Sequence, residues 1–245
     1  MGESVELKDK TALIVGATGG IGGALACALL AEGCVVGACG RVEEKLARLE
    51  GEAKAAAGTI ELFPADLSTE EEVEALALEV EDRLGRIDVL ILAAGAYSAG
   101  PISESQSRDL DHLYRINLRL PYLVSRTLLP LLNGEGAQIV FLNSSAGLGA
   151  RAGVGLYAAT KSGLKALADS LRDELNPRGI RVLSVYPGRT ATTMQELVHE
   201  LEGRPYQPEL LMQPGDVAGA IVGLLRLPWT AEATDLQIRP MRKPS

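Results

Sequence analysis

Residues 11–25 read TALIVGATGGIGGAL: an unbroken apolar run to Val15, then five glycines within eight positions. So short a run, closed by glycine and followed by alanine- and leucine-rich sequence, reads as a buried strand turning sharply into a helix over 20–32. Such a turn gathers backbone N–H groups and the positive end of the helix dipole at one point, which suits a phosphate or pyrophosphate. Without a ligand it is a tight turn and nothing more. Two glycine triplets fit. Gly16, Gly20 and Gly22 are spaced G-x-x-x-G-x-G, whereas Gly16, Gly19 and Gly22 are spaced G-x-x-G-x-x-G, and the two spacings point to different dinucleotide-binding families.

Six further apolar runs alternate with longer amphipathic segments: CVVGAC at 34, IELFPA at 60, IDVLIL at 87, AQIVFL at 137, IRVLSV at 180 and TDLQIR at 234. Short apolar strands between helices imply a parallel sheet buried on both faces and joined by right-handed crossovers. The expected fold is therefore α/β: a single-domain, Rossmann-like, doubly wound parallel sheet of about seven strands with helices on both faces. Helices are expected over 42–57, from a capping box of Ser68 and Glu71 to Leu84, over 107–132 with bends or breaks at Pro121 and Pro130, and over 156–176. No linker, low-complexity tract or repeat divides residues 1–245. Residues 190–213, with Pro205 and Pro208, read as a flap covering the substrate end.

Apolar residues make up 47% of the chain and charged residues 23%, enough apolar surface for a sizeable core. A net charge of −8 without a basic run argues against nucleic acid or an anionic membrane as partner and leaves a small molecule. The apolar runs are too short to span a bilayer and no basic-then-apolar leader is present, so a cytoplasmic protein is expected. Cys27, Cys34 and Cys39 match no metal spacing and are expected to be buried, reduced thiols. His112 and His199 are the only histidines and lie far apart, so neither a metal site nor a histidine-based triad is expected. Proton transfer then falls to another residue.

In LYAATKSG, Tyr157 and Lys161 are four apart in a helical segment and share a face. A cation beside a phenol favours the phenolate, the condition for a tyrosine acid/base. The second strand ends VVGACGR, with no carboxylate to meet the adenine-ribose hydroxyls of NAD, whereas Arg41 suits the 2′-phosphate of NADP. Arg41 is equally readable as a solvated residue at a helix start, and Glu43 and Glu44 as partners of that helix dipole.

With these residues in hand, the chain from about Lys8 onward resembles the classical short-chain dehydrogenase/reductase family. LNSSAG places Ser144 thirteen residues before Tyr157, as that family does, and RINLRLPYLV supplies Asn117. The resemblance extends to PADLS, with Asp66 and Leu67 by the adenine, and to YPGRTAT, with Pro187 and Gly188 by the nicotinamide and Thr192 near its carboxamide. It selects Gly16, Gly20 and Gly22 as motif glycines, joined by Thr18, Ile21, Ala94 and Gly95 in holding NADP(H). It also implies roles: Tyr157 as proton donor, Lys161 lowering its pKa and bonding the nicotinamide ribose, Ser144 polarising the carbonyl, and Asn117 holding a relay water.

Departures accompany the resemblance. Val15-Gly16 replaces the family's Thr-Gly opening, LAAG replaces NNAG, and Gly19 stands where many NADP-dependent members carry a basic residue. The leading expectation is an NADP-dependent carbonyl reductase or alcohol dehydrogenase, assembling as a dimer or tetramer through the helices carrying Asn117 and Tyr157. A cofactor-binding regulator or scaffold, a 3-oxoacyl thioester reductase and an epimerase are the alternatives. The full tetrad opposes the first. The chain end TDLQIRPMRKPS, unlike the family's glycine-rich type, opposes the second, and the short chain opposes the third. In the flap Met194, Leu197, Val198, Leu201, Tyr206, Leu210, Leu211 and Met212, beside Tyr97 and the 151–156 loop, either line an apolar substrate site or pack the flap onto its own domain.

Overall fold

The computed structural model describes residues 4–132 and 134–241; the last residues of the chain-end sequence, 242–245, lie outside them. Strands β1 (Thr11–Val15), β2 (Val35–Gly40), β3 (Thr59–Pro64), β4 (Val89–Leu92), β5 (Gln138–Leu142), β6 (Arg181–Pro187) and β7 (Asp235–Ile238) fall on the seven apolar runs. They form one parallel sheet in the order β3-β2-β1-β4-β5-β6-β7.

Side chains alternate across a strand, so Ala12 and Ile14 of β1 enter one core layer and Leu13 and Val15 the other. The first layer is closed by α1 (Gly20–Ala31), α2 (Glu43–Ala53) and α8 (Pro214–Leu225) through Leu25, Leu46 and Ile221. The second is closed by α3 (Glu70–Leu84), α5 (Leu120–Leu128) and α6 (Gly155–Leu175) through Val73, Leu123 and Leu164. A strand covered on both faces buries consecutive side chains, which is why the central strands appear as nearly continuous apolar runs. The chain winds outward from β1 to β3, then returns to lay β4 on the other side of β1. Loops leaving the carboxyl ends of β1 and β4 therefore diverge and open a crevice.

Two local expectations are corrected, the capping box and Cys27, while the breaks expected in the helix over 107–132 are found beside its prolines. The capping box of α3 is Thr69 with Glu72: the Thr69 N–H donates to Glu72 Oε2 at 2.8 Å and the Glu72 N–H to Thr69 Oγ1 at 3.3 Å. Ser68 instead donates to Asp66 Oδ1 at 2.8 Å. The helix expected over 107–132 divides into α4 (Ser107–Tyr114), a π-turn over Arg115–Arg119, α5, and a 3-10 turn over Leu129–Leu131. Pro121 has no N–H for the Asn117 carbonyl four residues back, and the Leu120 N–H bonds the Arg115 carbonyl five residues back. Cys34 and Cys39 are buried free thiols, pushed up to about 12 by burial, but Cys27 is only half-buried, its Sγ 3.7 Å from the Glu52 carboxylate.

Beyond β6 the Ala191 N–H donates to the Met212 carbonyl at 2.7 Å and the Met212 N–H to the Arg189 carbonyl at 3.2 Å, pinning the base of the segment read as a flap. Its helix α7 (Thr193–Leu201) is capped by Thr192. The apolar residues of the segment divide: Val198, Leu211 and Met212 are buried, whereas Met194, Leu197, Leu201 and Leu210 are exposed. Among the described residues no helix is long and apolar enough to cross a membrane, and no group of three or more His, Cys, Asp or Glu could hold a metal ion.

Candidate active site

The crevice begins where β1 ends. Gly16 has φ +95, and a Cβ on it would lie 2.5 Å from the Ala94 nitrogen in the loop after β4. At Gly22 a Cβ would lie 2.2 Å from the Gly16 oxygen, and at Gly20 it would lie 2.6 Å from the Thr192 methyl. At Gly19 the nearest atom is 3.4 Å away. Steric demand thus falls on the G-x-x-x-G-x-G triplet. No side chain caps α1 and no acidic residue occupies its first turn, which leaves its N–H groups and dipole for an outside anion.

Thr18 lies against the end of β2, where a Cβ on Gly40 would come within 2.7 Å of its methyl. Arg41 follows Gly40 and is exposed, while Glu43 and Glu44 occupy the first turn of α2. Asp66 is exposed beside Ser68, Leu67 is buried, and Ile21 is half-buried in α1. At the carboxyl end of β6, Gly188 donates to the Ile238 carbonyl at 2.8 Å, which fixes Pro187 and Gly188 against β7.

The four residues of the expected tetrad come from three segments: the π-turn, the turn after β5, and α6. Asn117 lies in the π-turn and is fully buried. Its Oδ1 accepts from the Ala96 N–H at 2.8 Å, and its Nδ2 donates to the Ala96 carbonyl at 2.9 Å and to Thr160 Oγ1 at 3.2 Å. The amide is therefore committed to tying the loop after β4 onto α6. Lys161 is buried and donates from Nζ to the Leu142 carbonyl at 2.9 Å; burial lowers its pKa to about 8. A Cβ on Gly95 would lie 3.6 Å from Asn117 Oδ1, 3.7 Å from Lys161 Nζ and 3.9 Å from Met194 Cε, so these residues converge on one point.

Tyr157 is buried one turn before Lys161, on the shared face that the spacing predicts. Burial raises its phenol pKa, a hydrogen bond from Ser144 lowers it, and Tyr97 raises it further. Lys161 is not among these causes. The ammonium faces the Leu142 carbonyl and is itself short of solvation, so burial sets the direction. Ser144 caps a short 3-10 turn, accepting from the Ala146 N–H at 3.2 Å.

Three further residues shape the site without having been singled out for these roles. Buried Asn143 accepts from the Ser144 N–H at 2.8 Å and donates to the Lys161 carbonyl at 3.1 Å, fixing the serine relative to the lysine. Its position directly before the serines, at the end of a buried strand, was the available signal. Thr160 anchors Asn117, and Tyr97 stands edge-on to Tyr157 with ring centroids 5.0 Å apart.

Residues 10–202 match the family model described as short chain dehydrogenase. The chain is 30% identical over 245 residues to glycine betaine reductase ATRR of Emericella nidulans, a match covering 97% of this chain but only 19% of that much longer protein. It is 33% identical over 196 residues to nodulation protein G of a Rhizobium species, covering 80% of this chain and 79% of that one. Among solved structures, a short chain dehydrogenase from Burkholderia cenocepacia J2315 in complex with NADP is similar, with a TM-score of 0.83 at 27% identity, covering 96% of this chain and 98% of that one.

Proposed function

This chain belongs to the short-chain dehydrogenase/reductase family, oxidoreductases that work with a nicotinamide cofactor, and from that premise we propose that it is an NADP-dependent carbonyl reductase or alcohol dehydrogenase. The observation that carries the reading is the convergence of Asn117, Lys161 and Gly95, with Tyr157 and Ser144 beside them, at the crevice between β1 and β4. The glycine cradle and the uncapped start of α1 suit the pyrophosphate, and Gly188 and Thr192 suit the nicotinamide end.

NADPH, when bound, supplies hydride to a ketone or aldehyde carbon. Tyr157 gives its proton to the carbonyl oxygen, and the raised pKa of its phenol keeps that proton on until negative charge develops. Ser144 orients the carbonyl and offsets the developing charge. Lys161 holds the ribose. Because the Asn117 amide is committed, a relay water would bond its backbone carbonyl, which Pro121 deprives of the usual donor.

The preference for NADP rests on Arg41, on the absence of a carboxylate ending β2, and on the similar protein in complex with NADP. Residues 190–213 cover the substrate, and the exposed Leu110, Tyr114 and Tyr122 of α4 and α5 suit a homodimer or homotetramer. A panel of ketones, aldehydes and alcohols followed by nicotinamide absorbance tests the reading with NADPH and NADH. Turnover of carbonyls with NADPH preferred is expected; no turnover with either cofactor overturns it.

A further inference from the structure

The segment over the site carries a charged cluster that the reaction leaves unused. Arg189, next after Gly188, donates from Nη2 to both oxygens of Glu202 at 2.9 and 2.6 Å, and its Nη1 lies 3.3 Å from Nε2 of buried His199. The His199 Nδ1 lies 2.8 Å from the Gln195 carbonyl, and the Arg189 guanidinium, which can only donate, faces Nε2. Arg204 approaches the same Glu202 carboxylate at 3.8 Å. Two guanidinium groups thus share one carboxylate, a surplus of one positive charge. The carboxylates of α7, Glu196 and Glu200, are exposed to solvent.

Arg189, His199 and Arg204 line a cavity of about 40 Å³, room for about three water-sized groups and hence for a carboxylate. The cavity lies beyond the carboxyl end of β6, the end of the sheet at which Lys161 meets the Leu142 carbonyl that closes β5. The backbone of Arg189 is fixed by its bond with Met212, which places the guanidinium on a firm base. The Tyr97 ring packs edge-on against that of Tyr157, and its phenol pKa is raised by burial first, raised further by Glu202 and lowered by Arg189.

On the basis of the oxidoreductase reading above, we propose that Arg189 anchors a carboxylate on the substrate, so that the substrates are oxo acids and the corresponding hydroxy acids. Glu202 is then an internal stand-in: it holds the guanidinium in place and is displaced when the substrate's carboxylate arrives. The oxo acid accepts hydride from NADPH at its carbonyl carbon and the proton of Tyr157 at its oxygen, giving the hydroxy acid and NADP⁺, and solvent restores the tyrosine proton.

The test compares kcat/KM for 2-, 3-, 4- and 5-oxo acids with their methyl esters and with 2-pentanone. A preference for acid over ester of about tenfold or more at one chain length is expected, the range of a charge-assisted hydrogen-bonded pair. Arg189→Leu should bring that ratio to about one or below, whatever its effect on overall rate, and Glu202→Gln should raise it by removing the competitor. If the Arg189–Glu202 pair is only a strut, Glu202→Gln leaves the ratio unmoved. Independently of turnover, pentanoate should raise the unfolding temperature of the wild-type chain where pentanamide does not. Equal kcat/KM for acids and esters while neutral ketones turn over overturns this inference and leaves the oxidoreductase reading standing. No turnover of any carbonyl overturns that reading, and absence of the pentanoate shift overturns the carboxylate anchor by itself.

Discussion

A Cβ on Gly22 would sit 2.2 Å from the carbonyl oxygen of Gly16, closer than any side chain can approach a backbone atom, whereas one on Gly19 would meet that oxygen at 3.4 Å. Gly22→Ala must therefore lift α1 off the loop. A loss of roughly 1–3 kcal/mol in stability and weakened NADPH binding are expected. Gly19 has φ −82 and no such obstruction, so Gly19→Ala should change stability by no more than about 0.5 kcal/mol. Thermal unfolding and a cofactor titration on both variants decide it; a loss at Gly19→Ala as large as that at Gly22→Ala would return the motif to G-x-x-G-x-x-G, which shares Gly22 but requires Gly19.

That contrast separates what was legible in the sequence from what was not. The sheet was legible because double-sided burial writes its central strands as nearly continuous apolar runs. That Asn117, Ser144, Tyr157 and Lys161 belong to one site was suggested by their order and spacing along the chain, and the fold brings Asn117 and Lys161 to one point. The capping box was not, since Ser68 with Glu71 and Thr69 with Glu72 satisfy the same pattern and only the backbone distinguishes them. The π-turn at Asn117 keeps the apolar period of a helix, so the missing N–H of Pro121 was the sole sign. Asn143, Thr160 and the Arg189–Glu202 pair act through partners that only the folded chain brings close.

Tyr157→Phe removes the proposed proton donor while leaving the ring. Turnover should fall by about 10²–10⁴-fold with NADPH affinity nearly intact. Ser144→Ala removes a hydrogen bond that lowers the Tyr157 pKa, so the rising limb of alcohol oxidation against pH should move to higher pH. Retained turnover in the first variant, or a fixed or falling limb in the second, would contradict these roles.

Burial of Lys161 has a signature in stability. Its folded pKa is lowered to about 8 from 10.5, so between those values the unfolded chain binds more protons and stability rises with pH. The ammonium is a cost below pH 8 that vanishes above 10.5, of order 3 kcal/mol. Lys161→Met should lack this rise. Denaturant unfolding of both chains at pH 7 and pH 10 measures it as a difference, which cancels Cys34 and Cys39, whose raised thiol pKa values act in the opposite direction. Parallel curves would mean that Lys161 is solvated.

The proposed preference for NADP rests on Arg41 because the loop before it offers no cation. Gly19 stands where a basic residue could grip the 2′-phosphate, and Thr18 lies against Gly40, which leaves Arg41 as the first charged side chain beyond β2. A guanidinium bonded to a phosphate is a charge-assisted contact that NADH cannot use. Arg41→Ala should therefore raise KM for NADPH by about tenfold or more and leave KM for NADH much less affected, measured with one carbonyl substrate throughout. The acids nearest by, Glu43 and Glu44, lie in the first turn of α2 and repel a phosphate, so Arg41→Ala should also narrow the preference to near parity. An equal rise in both Michaelis constants would make Arg41 a solvated residue at a helix start.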